Sequence, residues 1–281
     1  MSHADLHIHS TASDGKLTPA DVVREAAERG LSFIALADHD SIDGVASAQA
    51  AARAFPGLRV IPGVEISTDV AEGEIHVLGY FIDCADPQFN AALQRFKNSR
   101  LQRGQKMVAK LAKLGIHIDW QRVTEIAGGS SIGRPHIAQA MLEKGYITSF
   151  KQAFTEYLGH GRPAYVEREK MTPGEAVGLI IKAEGLPVLA HPLFLPDAEA
   201  MTMELKDAGL VGIEAYYNGY TAEEISRLVT LAEKHNLIVT GGSDYHGLDS
   251  TETAIGGADV PIEAVEKLIA LAKQRNPKLR L

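Results

Sequence analysis

Nine histidine and acidic side chains in the sequence, of the types that bind metal ions, fall into short and patterned groups. One residue separates His7 from His9, and the same spacing separates Asp244 from His246. Side chains alternate between the two faces of a strand, so both members of such a pair lie on one face. We therefore expect the groups to converge on a metal site. The candidate ligands are His7, His9, Asp14, His39, Glu65, His76, His191, Asp244 and His246.

The chemistry of these ligands indicates the kind of metal site. Imidazole and carboxylate groups together suit zinc, manganese or iron. Six histidines and three acids are too many for one ion, so we predict a site for two or three metals. Glu65 is the best candidate for a bridging ligand, since each of its two oxygens can bind one ion. Metals that share such a bridge lower the pKa of a bound water and clamp the oxygens of a phosphoryl group.

The elements that must position these ligands alternate between strand and helix. Thr18 and Thr172 are each followed by proline, which is typical of a helix start, and Ser41 is a further candidate cap. Uninterrupted apolar strands between helices indicate a parallel sheet with both faces covered. We therefore predict an α/β barrel, incomplete or distorted, with the ligands at the carboxyl ends of its strands. The seven predicted strands are 5–9, 31–37, 58–66, 74–81, 186–190, 211–216 and 237–240.

The stretch 87–166 breaks this alternation and has a helical pattern throughout. We predict that it is a helical insertion, or cap, placed between the barrel segments 1–86 and 167–281. Between residues 88 and 118 it contains seven basic residues and no acidic one. A basic face on this helix either attracts an anion to the metals or is an ordinary solvated surface. The members of that face are Arg103, Lys106, Lys110 and Lys113.

A glycine- and serine-rich loop at 128–131 precedes two further candidate residues, Arg134 and His136. The guanidinium of Arg134 can bind a phosphate in a bidentate manner. Arg134 and His136 each either contact the substrate or help to begin a helix. The outer glycines of this stretch have the spacing of a phosphate-binding loop, but Arg134-Pro135 replaces the Lys-Ser/Thr pair that such a loop requires.

Composition excludes several other classes of protein. A length of 281 residues, 45% of them hydrophobic, suits one large domain or one domain with an insertion. The single cysteine, Cys84, excludes an intrachain disulfide and a cysteine-rich zinc finger. The formal charge of -8 argues against binding to long nucleic acid. No apolar run is long enough to span a membrane, and His7 comes too early for a cleavable signal peptide, so we expect a cytoplasmic protein.

Five short motifs follow one another in an order that resembles the PHP (polymerase and histidinol phosphatase) family of metal-dependent phosphoesterases. The resemblance extends over nearly the whole chain. It implies a distorted (β/α)7 barrel with a trinuclear metal site at the carboxyl ends of the strands. The motifs are Asp-Leu-His-Ile-His-Ser at 5–10, Ala-Asp-His-Asp at 37–40, Gly-Val-Glu at 63–65, Ala-His-Pro at 190–192 and Ser-Asp-Tyr-His at 243–246.

The resemblance also implies how the ligands are shared among three ions. Many family members have a histidine where this chain has Asp14, and a carboxylate is a harder donor. We therefore expect manganese, with zinc or iron as the alternatives. The implied sets are His7, His9, Glu65 and Asp244 for one ion, Glu65, His76 and His191 for the second, and Asp14, His39 and His246 for the third.

Two segments, 11–19 and 133–138, resemble the YciV/TrpH-type branch of the family. Members of that branch act on nucleoside 3',5'-bisphosphates and on the 5' ends of short RNA, and their helical insertion caps the active site. The resemblance therefore implies hydrolysis of a pAp-like nucleotide to a nucleoside 5'-monophosphate and phosphate, with 5'-to-3' trimming of short RNA as a related activity. The expected partner is a small phosphorylated nucleotide or a short RNA end, not a long duplex or a membrane, and the sequence indicates no particular protein partner.

The catalytic roles follow from the same resemblance. A water activated by the metals near Glu65 would attack phosphorus, and either His191 or a metal-bound water would donate a proton to the leaving oxygen. Arg134 and His136 would hold the second phosphate. Three alternatives remain open: a histidinol-phosphate-type phosphatase, an amidohydrolase-like enzyme that cleaves a C–N bond, and a non-catalytic regulatory domain with structural metal.

Overall fold

The architecture is a single sheet of seven strands, in which neighbours along the chain are also neighbours in the sheet. The computed structural model describes residues 3–70, 73–128, 132–167, 171–247 and 253–279, so part of the predicted loop, 129–131, lies outside them. The prediction of seven strands is confirmed, with ends shifted by a few residues. They are β1 Ala4–Ile8, β2 Phe33–Leu36, β3 Arg59–Val70, β4 Gly73–Tyr80, β5 Leu186–Leu189, β6 Gly212–Tyr217 and β7 Ile238–Gly242.

The sheet curls until its first and last strands meet, which makes a nearly closed barrel. Just beyond β7, the N–H of Asp244 donates to the carbonyl of His7 at 2.9 Å, and the N–H of His9 donates to the carbonyl of Tyr245 at 3.0 Å. Gly242 makes this approach possible, because a Cβ there would lie 2.4 Å from the Cβ of His7. The barrel closure therefore sets the position of the first candidate ligands.

The prediction of an all-parallel sheet is wrong for one strand. β4 runs antiparallel to both β3 and β5, while the other adjacent pairs are parallel. Only residues 71 and 72 separate β3 from β4, and so short a connection cannot make the crossover that parallel strands need. As a consequence, the amino-terminal half of β4 lies at the same edge as the carboxyl ends of the parallel strands.

Helices of the described residues surround the barrel or form the insertion. The capping predictions hold at Thr18 and Thr172, whose hydroxyls accept from the N–H groups of Asp21 and Glu175. The cap predicted at Ser41 is wrong: α2 begins at Val45 with Gly44 as its N-cap, and the Ser41 hydroxyl instead accepts from the backbone N–H of Asp43 at 3.2 Å in the preceding loop. The helices are α1 Pro19–Glu28, α2 Val45–Ala52, α3 Pro87–Lys113, α4 Trp120–Ala127, α5 Arg134–Glu143, α6 Phe150–Ala153, α7 Pro173–Lys182, α8 Ala198–Ala208, α9 Ala222–Lys234 and α10 Ile262–Arg275.

The helices α3 to α6 and a short π-helix, Phe154–Leu158, lie between β4 and β5. The first turns of α3 pack Phe89 and Phe96 into the same apolar cluster as the barrel. Its last turns place Met107 and Leu111 in a second cluster formed with the later helices. The long helix α3 therefore connects the two cores, and the division into a barrel and a separate cap domain stays a prediction.

None of the helices described combines the length and the apolar character that crossing a membrane requires.

Candidate metal centre

The nine candidate ligands all lie at the edge of the barrel where the parallel strands end. His7 and His9 come from the end of β1, and their rings are 5.1 Å apart and fully buried. His76 comes from β4 and reaches this edge because that strand is antiparallel. His191 follows β5, and Asp244 follows β7. The sheet topology thus brings together residues from both ends of the chain.

Glu65 lies at the centre of this group. The Oε2 atom lies 3.4 Å from His7 Nε2, 3.3 Å from His9 Nε2 and 2.9 Å from His39 Nδ1. The Oε1 atom lies 2.8 Å from His76 Nδ1 and 3.1 Å from His191 Nε2. One carboxylate therefore contacts five histidines, with its two oxygens directed toward different sets. This is the arrangement that a bridging ligand needs.

The other two acids stand on either side of Glu65. Asp244 Oδ1 lies 3.2 Å from His7 Nε2 and 3.0 Å from His9 Nε2. Asp14 Oδ1 lies 3.5 Å from His246 Nε2, and Asp14 Oδ2 lies 4.0 Å from His39 Nε2. The rings of His9 and His246 stack at 4.0 Å between the two acids. The carboxylates are thus spread along the row of histidines.

Three overlapping sets in the described residues have ligand atoms close enough to hold a divalent ion. The first matches the set that the family resemblance implies. The second set contains His39 where the resemblance implies His191. The third set contains His9 in addition to the implied Asp14, His39 and His246. His191 contacts Glu65 but belongs to none of the three. The observed sets are His7, His9, Glu65 and Asp244; His39, Glu65 and His76; and His9, Asp14, His39 and His246.

Unsatisfied buried atoms show that these residues fit metal ions. Four atoms of the centre are buried without a hydrogen-bond partner: His7 Nε2, His9 Nδ1, Asp14 Oδ1 and Glu65 Oε2. A buried polar atom without a partner is unfavourable by about 1–3 kcal/mol, so native proteins rarely leave several in one place. Cations bound between these atoms would satisfy them.

The electrostatics of the centre favour the ionised acids. Burial alone would raise the pKa of Glu65, but the surrounding histidines His39, His76 and His7 hold it well below its usual range. Burial would lower the pKa of His9, but the hydrogen bond to Asp244 and the negative charge of Glu65 raise it to about 10. The acids are therefore ready to bind cations, and metal binding must displace protons from the histidines.

Three residues at the centre have left-handed backbone conformations that side chains other than glycine rarely adopt. They are Asp40 with φ 50°, His191 with φ 27° and Asp244 with φ 54°. Such strained conformations concentrate at functional sites, where the surrounding structure holds them. Here the N–H of Asp40 donates to the carbonyl of Glu65 at 2.9 Å.

The sequence analysis missed Glu214, a fully buried acid on β6 that orients two of the ligands. Its Oε1 lies 3.0 Å from His7 Nδ1, and its Oε2 accepts from the backbone N–H of His191 at 2.8 Å. A carboxylate that accepts from Nδ1–H leaves the other ring nitrogen, Nε2, free to bind metal. The signal was a lone acid within an apolar strand, Gly212–Tyr217.

Other acids support the ligands from behind. The carboxylate of Asp38 accepts from the backbone N–H of Ser10 at 2.8 Å and from the hydroxyl of Ser13 at 2.6 Å. Asp5 accepts from the N–H of Ser243 at 2.9 Å, next to Asp244. These bonds fix the loops that carry Asp14 and Asp244, so the two supporting acids orient the ligands without binding metal themselves.

A cavity of about 180 Å³ opens beside the centre, between the metal-ligand side chains and the helical insertion. Its walls include Asp14, His39, His76 and His246 on the barrel side. Three arginines line the opposite side: Arg100, Arg103 and Arg134. The insertion thus places positive charge against the candidate metal centre.

The arginines are held in place by acids and by backbone groups. Arg134 pairs with Glu74, and Arg103 Nη1 lies 3.6 Å from the same carboxylate. Arg100 Nε donates to Asp40 at 2.6 Å. Burial lowers the pKa of Arg103 to about 10 despite the neighbouring Glu74. The three side chains are therefore partly neutralised and rigid.

The basic face predicted on α3 divides between the two roles that the sequence left open. Arg103 lines the cavity, but Lys106, Lys110 and Lys113 line a separate surface depression. Lys110 is ten residues beyond Arg100, which is about 15 Å along the helix axis. Arg100, which the predicted face did not include, also lines the cavity beside the ligands.

His136 is buried, and its Nδ1 accepts from the backbone N–H of Gly133 at 3.0 Å. This bond caps the start of α5, which is one of the two roles left open by the sequence. His136 is not among the residues that line the cavity. Its contact with substrate stays a prediction.

The fold and the site together define the class of this protein: an α/β barrel with a histidine–carboxylate centre where its parallel strands end. The chain belongs to the PHP domain family, whose family model matches residues 5–167.

Curated relatives and a solved structure match this chain over most of its length. A 3',5'-nucleoside bisphosphate phosphatase of Chromobacterium violaceum is 33% identical over 270 residues, which cover 92% of this chain and 91% of the relative. A 5'-3' exoribonuclease of Haemophilus influenzae is 35% identical over 246 residues, covering 86% and 89%. The solved structure of a candidate metal-dependent phosphoesterase from Bifidobacterium adolescentis superposes with a TM-score of 0.87 at 28% identity, over 96% of both chains.

Proposed function

We propose that this protein hydrolyses nucleoside 3',5'-bisphosphates such as pAp to a nucleoside 5'-monophosphate and phosphate. One observation carries the proposal: the candidate metal centre and three arginines line the same cavity. A substrate with two phosphates needs one site for the phosphate that reacts and a second for the phosphate that does not. The relative from Chromobacterium violaceum, which is named for this activity, supports the assignment.

The three ligand sets, two of which include Glu65, would hold up to three divalent ions, and we propose manganese for them because of the hard donor Asp14. Ions in these positions would supply charge stabilisation for the phosphoryl oxygens and a water of lowered pKa. The ionised state of Glu65, which its histidine neighbours favour, keeps the centre ready for them.

His191 is our candidate for the group that donates a proton to the leaving 3' oxygen. It stands outside the three ligand sets of the described residues, although the family resemblance implies it as a ligand of the second ion. Its Nε2 lies 3.1 Å from Glu65 Oε1, and Glu214 fixes its backbone. A proton on this nitrogen would be directed at the reacting group near Glu65.

The arginines would bind the 5' phosphate. Arg134 can offer a planar pair of N–H donors to two phosphate oxygens, and Arg100 and Arg103 add charge on the same wall. Glu74, which pairs with both Arg103 and Arg134, keeps their side chains ordered until the phosphate enters. The reaction would then occur only with the 3' phosphate at the metal centre.

The test measures phosphate release by the manganese-loaded protein from pAp, 3'-AMP, 5'-AMP and histidinol phosphate. We expect turnover of pAp with little release from either AMP. In Arg134→Ala, kcat/KM for pAp should fall by about 10- to 150-fold, the effect of losing a charged hydrogen bond, while 3'-AMP should change little. The matched control is Arg122→Ala, which removes an exposed cap arginine paired with Glu143. A preference for histidinol phosphate, or equal loss on both nucleotides, would contradict the proposal.

Trimming of short RNA from its 5' end is a second candidate activity of the same site. The relative from Haemophilus influenzae is named as a 5'-3' exoribonuclease. A 5'-phosphorylated RNA presents the same two groups as pAp, with a 3' diester in place of the 3' monoester. Cleavage of a 5'-phosphorylated trinucleotide but not of its 5'-hydroxyl form would support this activity, and equal cleavage would exclude a role for the arginines.

A further inference from the structure

Phe194 is the most exposed of the large apolar side chains in the described residues, with 66% of its surface accessible. It stands three residues after His191, and the two rings are 5.3 Å apart. Exposing an aromatic ring to water is unfavourable, since burial of a Phe side chain contributes about 1.5–3 kcal/mol. An exposed ring beside a reaction centre therefore points to a ligand that covers it.

Two tyrosines support this ring. Phe194 meets Tyr217 at 5.6 Å and Tyr220 at 6.3 Å, both in edge-to-face geometry, and the tyrosines lie 5.0 Å from each other. We call Phe194, Tyr217 and Tyr220 the aromatic platform. The hydroxyl of Tyr217 donates to Asp244 Oδ2 at 2.8 Å, which joins the platform directly to the candidate metal centre.

The backbone that carries Phe194 is fixed at several points. The N–H of His191 donates to Glu214, and the N–H of Leu193 donates to the hydroxyl of Tyr220 at 3.1 Å. Within the turn, the N–H of Phe194 donates to the carbonyl of His191 at 3.2 Å. A ring held in this way loses little freedom when a ligand stacks on it, so it is preorganised for binding.

The platform and the arginine cavity contact different parts of the centre. The platform contacts His191 and Asp244, and neither residue lines the cavity. At about 180 Å³, the cavity is also smaller than the roughly 300 Å³ at which pockets for small molecules begin. It has room for a phosphate group, so the base of a nucleotide must lie outside it.

We propose that the aromatic platform binds the nucleobase of the substrate by stacking, with Phe194 as the principal contact. The inference rests on the proposed function, because it assumes a substrate that carries a base. Every base has a π face, so stacking tolerates all four bases. Recognition would therefore depend on the presence of a base more than on its identity.

The test compares a ligand with a base and a ligand without one. Phosphate release is measured from pAp and from an abasic deoxyribose 3',5'-bisphosphate, for the wild type, Phe194→Ala and Phe194→Trp. We expect Phe194→Ala to lower kcat/KM for pAp by roughly tenfold, within the range of base–aromatic stacking, and to leave the abasic compound unchanged. Phe194→Trp should retain the preference for pAp.

The matched control is Met203→Ala, which removes another exposed apolar side chain, on α8 and 47% accessible. It should affect neither substrate. Equal loss on both substrates in Phe194→Ala, or no loss on either, would overturn the stacking inference. If Phe194→Ala instead keeps the turnover of pAp but no longer binds a protein that the wild type captures, Phe194 contacts a protein partner. That result would also overturn the stacking inference.

A binding measurement separates this inference from the proposed function. Calorimetry of 5'-AMP and of ribose 5-phosphate gives the contribution of the base without any reaction. The inference predicts roughly tenfold tighter binding of 5'-AMP in the wild type and no such difference in Phe194→Ala. If pAp is not hydrolysed but this difference is present, the proposed function fails and the stacking site stands. Equal binding of the two ligands by the wild type would refute the stacking site alone.

Discussion

Replacing Glu214 with glutamine tests how the barrel prepares its ligands. Each oxygen of this buried carboxylate accepts one hydrogen bond, from His7 Nδ1 at 3.0 Å and from the backbone of His191 at 2.8 Å. Glutamine has the same shape but only one acceptor oxygen. Whichever way the amide is turned, its NH₂ group meets an N–H donor, so one of the two contacts is lost.

The size of the effect follows from that lost contact. An unsatisfied buried donor should reduce the free energy of unfolding by about 1–3 kcal/mol. If His7 loses its acceptor, its Nε2 is no longer held toward Glu65 and Asp244, and metal affinity should fall by about 10- to 100-fold. Activity at saturating metal should recover partly, because the three ligand sets themselves are intact.

The assay is calorimetric titration of manganese into chelated protein, together with thermal unfolding. The matched control is Tyr80→Phe, which removes another buried barrel hydrogen bond, from the Tyr80 hydroxyl to the carbonyl of Leu6 at 3.0 Å. That variant should lose about 0.5–1.5 kcal/mol of stability and keep its metal affinity. The reasoning is refuted if Glu214→Gln binds manganese as tightly as the wild type, or if both variants weaken binding equally.

Three further predictions follow from the same contacts. Glu65→Gln should lose metal content, measured by elemental analysis, and lower activity by more than about 100-fold, because its carboxylate contacts five histidines; normal metal content would refute its bridging role. Gly242→Ala should reduce stability by about 1–3 kcal/mol in chemical denaturation, since its Cβ would overlap His7, while Gly57→Ala, with open space around it, should change little. In chelated protein, the melting temperature should fall as pH rises from 6.5 toward 10, because the raised pKa of His9, about 10, stabilises the fold only while His9 is protonated. Metal-loaded protein should not show this fall. A melting temperature that does not change with pH in the chelated protein would contradict the assignment.

Local patterns in the sequence were sufficient to predict the strands and most of the candidate ligands. The alternation of His7 and His9 fixes one face of a strand, whatever the rest of the chain does. Apolar runs bounded by helix starts located the seven strands to within a few residues. These features depend on neighbours along the chain, so the sequence contains them directly.

Features that depend on neighbours in space were not accessible in the same way. The reversed direction of β4 follows from its short connection to β3, which apolar periodicity does not reveal. The choice of Arg100 over the lysines of α3 depends on how far along the helix the cavity lies. Glu214 resembled any residue of a strand until the barrel closed around it and His7.

The central claim is that the centre around Glu65 uses divalent metal to hydrolyse a nucleoside bisphosphate. Its most direct test is a titration of manganese into chelated protein while phosphate release from pAp is followed. We predict no release without metal and activity that rises until up to three ions are bound per chain, one for each observed ligand set. Full activity in the chelated protein, or no release of phosphate from pAp at saturating manganese, would contradict the claim.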